Sequence, residues 1–320
     1  MTERLVFLLL VSFVVSPLMA KPVPAEDPYS RPVLHERFHA VLWIQTSPEY
    51  QMLCTQTFRF AKKQLAEALN DKMWTAATEQ TNLPLPKDRK AIIVDVDETV
   101  LENAPAEARQ VIMGTPLEMG GFNPDDFSAW VKEGECKPLP GAKKFIEFVR
   151  SKGVKVFYVT NREDKRPTLK NIRDYLDEQV SDDEVVVTDK VQGYEKSPRR
   201  AKIAQKYRIL LLLGDDYNDF VSMGEKFPPL ERRRLAEDYE DYWGERWFIL
   251  PNPLYGSFEK SAKKHAGTNR SKLEVLKIQS IARQRKLSLS RAKLLKKRDK
   301  RRKYLNNKAT HLRPFLLPGE

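Results

Sequence analysis

Residues 90–99 read KAIIVDVDET, a short apolar run followed at once by three carboxylates and a threonine. The continuous apolar stretch Ala91–Val94 is typical of a strand that is buried on both faces of a parallel sheet. Asp95, Asp97 and Thr99 then follow the carboxyl end of that strand, which is where open α/β sheets bind their ligands. This stretch therefore predicts both a parallel sheet and the edge at which its chemistry takes place.

The chain downstream alternates between apolar runs and amphipathic segments. The other predicted strands are Val154–Val159, Val185–Thr188, Ile209–Leu213 and Arg246–Leu250. Between them the pattern predicts helices over Pro140–Lys152 and Asp164–Leu176, and another that begins at Ser197. Such alternation predicts a three-layer α/β sandwich with right-handed crossovers.

The segments around the first strand predict a small, mainly helical cap. Residues 33–70 indicate two helical pieces, the second of which begins at Ser47-Pro48-Glu49, where serine can cap and proline suits the first turn. The 45 residues between the first strand and the Pro140 helix are too many for a simple crossover. We therefore expect an N-terminal helical segment over 21–89 and an α/β domain over 90–259, with a cap insert at about 102–138.

Composition limits the classes of protein that this chain can represent. Of its 320 residues 41% are hydrophobic and 31% are charged, which excludes collagen-like, low-complexity and wholly disordered chains. Two cysteines, Cys54 and Cys136, cannot form a cysteine-rich zinc site. They allow at most one disulfide, and the sequence leaves open whether it forms.

Residues 1–20 predict a secretory signal. Leu5–Val15 is an apolar run of 11 residues, too short to span a membrane, and Leu18-Met19-Ala20 offers a cleavage site. An uncleaved anchor is the alternative. No cysteine lies near the cleavage site to carry a lipid, so we expect an exported protein, periplasmic or secreted, without a lipid anchor.

The formal charge of +12 is distributed unevenly along the chain. Residues 260–320 carry 20 Lys/Arg and 3 Asp/Glu, a net charge of +17, which leaves −5 for residues 1–259. This basic segment, predicted to be partly helical or disordered, is either a solvated tail or a contact for an anionic surface such as membrane headgroups, lipopolysaccharide or nucleic acid. No specific nucleic acid is predicted as a partner.

Three predicted strands end in polar residues. Asp95 and Asp97 follow the first, Thr160-Asn161-Arg162 follow the second, and Asp215 and Asp219 follow the strand at Ile209–Leu213. Several acids in one cleft repel each other unless a cation intervenes. A set of oxygen ligands without a nearby histidine or cysteine favours Mg²⁺ over zinc.

Phosphoryl transfer through a covalent aspartyl-phosphate suits these residues. Asp95 would be the nucleophile, and Asp97 would protonate the leaving group and then activate water. Thr160 and Lys196 would stabilise charge on the phosphoryl oxygens. Asp215 would bind the metal, and Asp219 would orient Lys196 or a metal-bound water.

The order of these motifs resembles the haloacid dehalogenase superfamily. The chain is most similar to its bacterial class C acid phosphatases, the family of the outer-membrane lipoprotein-e 5′-nucleotidase. Besides DxDxT, the strand-ending threonine, the lysine and GDDxxxD, the similar segments are Trp43–Tyr50, Leu139–Ala142, Phe157–Arg162 and Leu250–Gly256. The resemblance spans residues 40–259 and implies a Rossmannoid parallel sheet with a small cap.

The resemblance also implies roles for single residues. It implies Mg²⁺ bound by Asp95, by the backbone carbonyl of Asp97 and by Asp215, with Lys196 as the family's lysine and Lys202 as the alternative. A nucleoside would be held between Phe127 and Tyr255, and Asn161 would contact the substrate.

The implied activity is that of a Mg²⁺-dependent acid phosphatase or 5′-nucleotidase acting on phosphomonoesters, nucleoside monophosphates in particular. The alternative is an exported, non-catalytic binding or storage protein on a phosphatase scaffold. Two departures from the family are visible: the lipid-bearing cysteine is missing, and Asp216 replaces an asparagine, where we expect a supporting residue and not a ligand.

Overall fold

The computed structural model of the chain describes residue 35 and residues 37–81, 84–113, 123–188, 193–222 and 226–266. Five parallel strands form its central sheet, in the spatial order β5-β4-β1-β6-β7. Their bounds are Lys90–Val94 (β1), Lys155–Val159 (β4), Val185–Val186 (β5), Arg208–Gly214 (β6) and Trp247–Ile249 (β7). A separate antiparallel pair joins Leu101–Glu102 (β2) to Lys137–Pro138 (β3). The five predicted strands are all present.

The sheet is covered by helices on both faces. The helices are Phe38–Thr46 (α1), Pro48–Asn70 (α2), Ala104–Met113 (α3), Pro124–Glu133 (α4), Ala142–Ser151 (α5), Lys165–Tyr175 (α6), Ser197–Ala204 (α7), Pro229–Glu237 (α8) and Ser257–Ala266 (α9). Short 3₁₀ turns lie at Thr78–Gln80, Asp182–Glu184, Tyr217–Asp219 and Glu240–Tyr242. The predicted three-layer α/β class is thereby confirmed.

Alternate residues of β1 face two separate hydrophobic cores. Ile92 and Val94 join a core with α2, α5 and α6. Ala91 and Ile93 join the opposite core, to which α7 contributes. A stretch whose side chains all enter a core must be apolar throughout, which explains the unbroken apolar run Ala91–Val94. The carboxyl end of β1 is therefore the first place where polar side chains can stand.

The second N-terminal helix begins where the sequence predicts, whereas the first begins at Phe38 and not at residue 33. The hydroxyl of Ser47 accepts a hydrogen bond from the Tyr50 backbone N–H at 3.1 Å and so caps α2, with Pro48 in its first turn. α1 packs against α3 of the insert, whereas α2 lies against α5 and the sheet strand β6. The pair β2–β3 closes the base of the insert, whose helices are α3 and α4.

The last described helix extends past the predicted domain boundary at residue 259. Ser261 is fully buried and donates a hydrogen bond to the Phe227 carbonyl at 2.6 Å, so α9 continues to Ala266 as part of the packed domain. The predicted signal at 1–20 and the basic segment beyond 266 lie outside the described residues. Among the helices that the structure describes, none is both long enough and apolar enough to cross a membrane.

Candidate active site

Asp95 is fixed at the carboxyl end of β1. Its backbone N–H donates to the Leu213 carbonyl of β6 at 2.9 Å, which continues the ladder between the two central strands by one residue. Its buried carboxylate accepts hydrogen bonds from the Lys196 ammonium and, at 3.4 Å, from the Thr99 hydroxyl. The predicted nucleophile is thus held by both a cation and a hydroxyl.

Lys196 joins two of the predicted acids. The residue precedes α7 and is buried, and its ammonium contacts Asp95 Oδ1 as well as Asp219 Oδ1, the latter at 2.6 Å. Burial alone would lower the pKa of Lys196, but the carboxylates of Asp219 and Asp95 raise it above its usual value. Lys196 is therefore the lysine of this site, and Lys202, the alternative, is not needed to explain it.

Three carboxylates converge beside this ammonium. One oxygen each from Asp95, Asp215 and Asp219 lies within 4.8 Å of the other two. Burial, Asp219 and Asp95 raise the pKa of Asp215 well above its usual value. Burial raises the pKa of Asp219 to about 7, although Lys196 opposes that shift. One ammonium does not balance three buried acids, so this group can hold a divalent cation with its hard oxygen ligands.

Gly214 makes the approach of Asp219 possible. A Cβ at this position would lie 2.3 Å from Asp219 Oδ2, well inside van der Waals contact. That oxygen accepts hydrogen bonds from the backbone N–H groups of Asp215 and Asp216, at 3.1 and 3.0 Å. The glycine that ends β6 is thus required for the loop to fold back on Asp219.

Asp215 is oriented from both sides. Thr99 donates to its Oδ1 at 2.9 Å, and Asn252, in the segment after β7, donates to its Oδ2 at 2.7 Å. The hydroxyl of Thr99 therefore touches both Asp95 and Asp215. Neither Thr99 nor Asn252 had a predicted role, although both stand in motifs that the sequence singled out.

The Asp97 carboxylate takes a different direction from that of Asp95. Arg162, buried, donates to it through Nη2 at 2.8 Å and through Nε at 3.0 and 3.2 Å. Asn103 Nδ2 donates at 2.8 Å and the Thr160 hydroxyl at 3.4 Å. The third carboxylate beside Asp95 and Asp215 is that of Asp219 and not that of Asp97, for which the resemblance implied only the backbone carbonyl as a ligand.

The loop after β4 is held by an arginine for which the sequence predicted no role. Arg199 in α7 donates to the Thr160 carbonyl and to Asn161 Oδ1, both at 2.6 Å, and to the Tyr194 carbonyl at 3.2 Å. It thus ties the loop after β4 to the loop that carries Lys196. Arg199 lies three residues after Lys196, in the first turn of α7, and nothing in the sequence pattern indicated its role.

Phe127 and Tyr255, the predicted nucleoside clamp, are both partly buried against the same core. The Tyr255 ring lies under the Arg37 guanidinium, 5.9 Å from its carbon, and the Tyr255 hydroxyl is buried. Arg37 is in turn paired with Glu107 of α3. Tyr255 therefore stands three residues from Asn252, where the site meets the insert.

Asp216 supports the loop and does not join the carboxylate group. Its oxygens accept from the Asn218 backbone N–H at 2.9 Å and from the backbone N–H and the hydroxyl of Ser257, at the start of α9. Cys54 and Cys136 are both buried and unpaired. The disulfide that the sequence left open is not formed.

Comparison with known proteins agrees with this geometry. A family model described as HAD superfamily, subfamily IIIB (acid phosphatase), matches residues 33–258. The class C acid phosphatase from Bacillus anthracis superposes with a TM-score of 0.64 and 28% identity, over 76% of this chain and 94% of that one. The structure of the same enzyme with tungstate bound gives the same values.

Two plant proteins are similar over about half of this chain. The stem 31 kDa glycoprotein of Glycine max is 28% identical over 170 residues, 51% of this chain and 58% of that protein. Acid phosphatase 1 of Solanum lycopersicum is 27% identical over 176 residues, with 52% and 59% covered. The chain thus spans less than two thirds of the length of these relatives. By the match over residues 33–258, it belongs to subfamily IIIB of the HAD superfamily, the acid phosphatase subfamily.

Proposed function

We propose that this protein is a Mg²⁺-dependent acid phosphatase that hydrolyses phosphomonoesters, nucleoside monophosphates in particular, through a phosphorylated Asp95. The observation that carries the proposal is the contact of one buried ammonium, Lys196, with Asp95 and Asp219, beside Asp215. The similarity to class C acid phosphatases supports the same reaction class.

The chain's own residues divide the reaction into two steps. In the first, an Asp95 carboxylate oxygen forms a bond to phosphorus while the bond from phosphorus to the ester oxygen breaks, and Asp97 gives its proton to the leaving alkoxide. In the second, Asp97 takes a proton from the water that attacks the phosphorus. The bond from Asp95 to phosphorus then breaks, which restores the Asp95 carboxylate and the protonated Asp97 and releases phosphate.

The charged and polar groups of the site suit these two reaction steps. Lys196 and the hydroxyl of Thr160 stabilise the phosphoryl oxygens as negative charge moves onto them. A bound Mg²⁺ would neutralise the repulsion between the carboxylates and the phosphate and hold the reacting groups in line. Asp95, Asp215 and the Asp97 backbone carbonyl are the proposed ligands, and Asp219 keeps Lys196 and the loop after β6 in place.

Asp95→Asn is the direct test of this proposal. The purified variant should release no phosphate from a chromogenic ester in the presence of Mg²⁺, while its unfolding midpoint stays close to that of the wild type. Asp183→Asn, which changes an exposed carboxylate beside Lys155, is the matched control and should keep full activity. A folded wild-type protein that released no phosphate with any divalent cation would instead favour a non-catalytic binding protein.

The nucleoside preference is carried by the aromatic residues near the insert. Stacking on a base contributes about 1–3 kcal/mol per base and tolerates any base. Tyr255→Ala should therefore raise KM for nucleoside monophosphates by about tenfold or more and leave KM for a small alkyl phosphate nearly unchanged. An equal rise in KM for both substrates would mean that Tyr255 does not stack on the base.

Export and surface contact complete the proposal. The signal-like residues 1–20 would direct the chain out of the cytoplasm, and the +17 charge of residues 260–320 would favour anionic surfaces. Deleting residues 267–320 should release the enzyme from anionic vesicles and leave turnover unchanged. Binding that survives this deletion would contradict the role of the basic segment.

A further inference from the structure

We infer that Asn103 is a positioning residue through which the insert sets the orientation of the Asp97 carboxylate. The inference rests on the proposed role of Asp97 as the group that protonates the leaving alkoxide. It concerns a contact that the reaction scheme above does not use, namely the chain of hydrogen bonds from Asp97 through Asn103 to Trp130 of α4.

One end of Asn103 faces the acids that follow β1. Asn103 is 1% exposed, and its Nδ2 donates to Asp97 Oδ1 at 2.8 Å and to Glu98 Oε2 at 3.0 Å. Its backbone N–H donates to Glu98 Oε1 at 2.7 Å. Among the residues that the structure describes, Glu98 is the non-glycine residue with a positive φ, +54°, so the chain turns sharply between Asp97 and Asn103. Asn103 therefore holds this turn and the Asp97 side chain together.

The other end of Asn103 faces the insert. Its Oδ1 accepts from Trp130 Nε1 at 2.8 Å and from Cys136 Sγ at 3.4 Å. An indole N–H can only donate, so the oxygen of the amide must face Trp130 and its NH₂ group must face the carboxylates. Trp130 thus fixes the orientation of the Asn103 amide, so that its NH₂ group faces Asp97.

Trp130 is well placed to act as the anchor. It is 3% exposed, and the guanidinium of Arg109 in α3 lies 5.0 Å from its ring. Arg109 also pairs with Glu133 of α4 at 2.8 Å. The two helices of the insert thus hold the indole between them, and a shift of the insert moves the Asn103 amide.

The contacts leave the two oxygens of Asp97 unequal. Oδ1 accepts from Asn103 at 2.8 Å and from Arg162 at 2.8 and 3.0 Å. Oδ2 accepts only longer bonds among those described, from Arg162 Nε at 3.2 Å and from the Thr160 hydroxyl at 3.4 Å. Asn103 and Arg162 thereby occupy Oδ1, and Oδ2 is the oxygen that transfers the proton.

The dependence of the rate on the leaving group reports this role. An alkoxide needs a proton as it leaves, whereas p-nitrophenolate is stable without one, so general acid catalysis matters only for the alkyl ester. The measured quantity is the ratio of kcat/KM for an alkyl phosphate to kcat/KM for p-nitrophenyl phosphate. A purely structural defect lowers both values together and leaves the ratio unchanged.

Trp130→Phe is the main variant, because it keeps the aromatic ring and removes the N–H. General acid catalysis contributes about 10²–10⁴-fold, and we expect this variant to lose about tenfold in the ratio. Trp74→Phe is the matched control. Trp74 Nε1 also donates to a buried oxygen at 2.8 Å, the Leu210 carbonyl. The guanidinium of Arg246 lies over its ring, as that of Arg109 lies over Trp130. This control should lose stability but keep the wild-type ratio.

Two further variants separate the possible failures. Asn103→Asp keeps an acceptor for Trp130 but replaces the Nδ2 donor, and it should lower the ratio at least as much as Trp130→Phe. Asp97→Asn gives the ratio for complete loss of the acid; no change there would reject the proposed role of Asp97 itself. If Asp97→Asn lowers the ratio and Trp130→Phe leaves it at the wild-type value, the inference is overturned.

Discussion

Two buried clusters of charge differ in how their acids are balanced. At the carboxyl ends of β1 and β6, one ammonium, Lys196, contacts the carboxylates of Asp95 and Asp219, and a third acid, Asp215, lies beside them. Beside β4, one guanidinium, Arg150, meets the two carboxylates of Asp177 and Glu184. Both clusters lie in the same domain, so the different balance of cations and carboxylates indicates different roles for them.

The cluster around Arg150 is saturated with hydrogen bonds. Arg150 donates to Asp177 Oδ2 at 2.6 Å and to Glu184 Oε1 at 2.6 Å. Asp177 also accepts from the Tyr158 hydroxyl at 2.8 Å, and Glu184 from the Ser181 backbone N–H at 2.9 Å. Burial alone would raise the pKa of Glu184, but Arg150 and Ser181 lower it below its usual value.

The shifts at the strand ends have the opposite sign. The pKa of Asp215 is raised and that of Asp219 is raised to about 7, because burial and neighbouring acids outweigh the single ammonium. The pKa of Glu184 is lowered because Arg150 pairs with it, whereas the pKa values of Asp215 and Asp219 are raised by burial and by crowding of acids, which a bound cation would relieve. The comparison predicts that the first cluster serves turnover and cation binding, and the second serves stability.

Lys196→Met should have the largest effect on activity. Removing a group that stabilises developing charge typically costs about 10²–10³-fold in kcat, and Asp95 and Asp219 would also remain without their ammonium. Steady-state phosphate release at saturating Mg²⁺ measures this loss. Lys202→Met, on the same helix, is the control and should stay near the wild-type rate. Comparable rates for the two variants would mean that Lys196 has no role in the reaction.

Arg150→Met should have the largest effect on stability. It leaves two buried carboxylates without their partner, and breaking a buried pair in this way costs about 3–5 kcal/mol. Urea unfolding measures the change in the free energy of unfolding. Turnover per folded molecule should remain that of the wild type, and a specific loss of kcat would mean that the two clusters are coupled.

Divalent cations should stabilise the protein more at high pH than at low pH. In protein treated with a chelator, the raised pKa of Asp219 contributes stability that is full below its usual carboxyl range and is lost as pH rises through about 7. A cation restores it, by about 2.7 kcal/mol at a hundred times its Kd. Melting temperatures with and without Mg²⁺ at pH 5 and pH 8 test this. Asp215→Asn should remove most of the difference.

Glu184→Gln should have the smallest effect, seen as a weaker dependence of stability on pH in the acid range. Because the pKa of Glu184 is lowered, its contribution is present above its usual value of 4.5 and is lost as pH falls below that value. The wild type should therefore lose more stability than the variant when pH falls from about 5 to about 3. Glu178→Gln, at an exposed position, should follow the wild type. If Glu184→Gln lost as much stability as the wild type over this pH range, Glu184 would have no part in acid unfolding.

Much of the site could be predicted because its residues stand next to strands. Asp95 follows β1, Thr160 follows β4 and Asp215 follows β6, and parallel strands bring their carboxyl ends to one edge. The apolar runs that predicted the strands therefore also predicted which acids meet. Lys196 was predicted by its place in the order of motifs.

The rest depends on contacts between residues far apart in the chain. Arg162 reaches Asp97 from 65 residues away, and Asn252 reaches Asp215 from 37 residues away. Whether an acid meets an ammonium or a guanidinium depends on side-chain direction, which the pattern of apolar residues does not encode. The packing of α9 is a further case, since the burial of Ser261 against Phe227 is invisible in a segment rich in lysine.

The continuity of α9 has a consequence for how the enzyme would be oriented. Ser257 binds Asp216, next to Asp215, and α9 continues from there to Ala266, already within the basic range 260–320. The point at which the chain leaves the domain therefore has a fixed direction relative to the mouth of the site. Under the proposed contact with an anionic surface, the side of the domain at which α9 ends would be the side tethered to that surface.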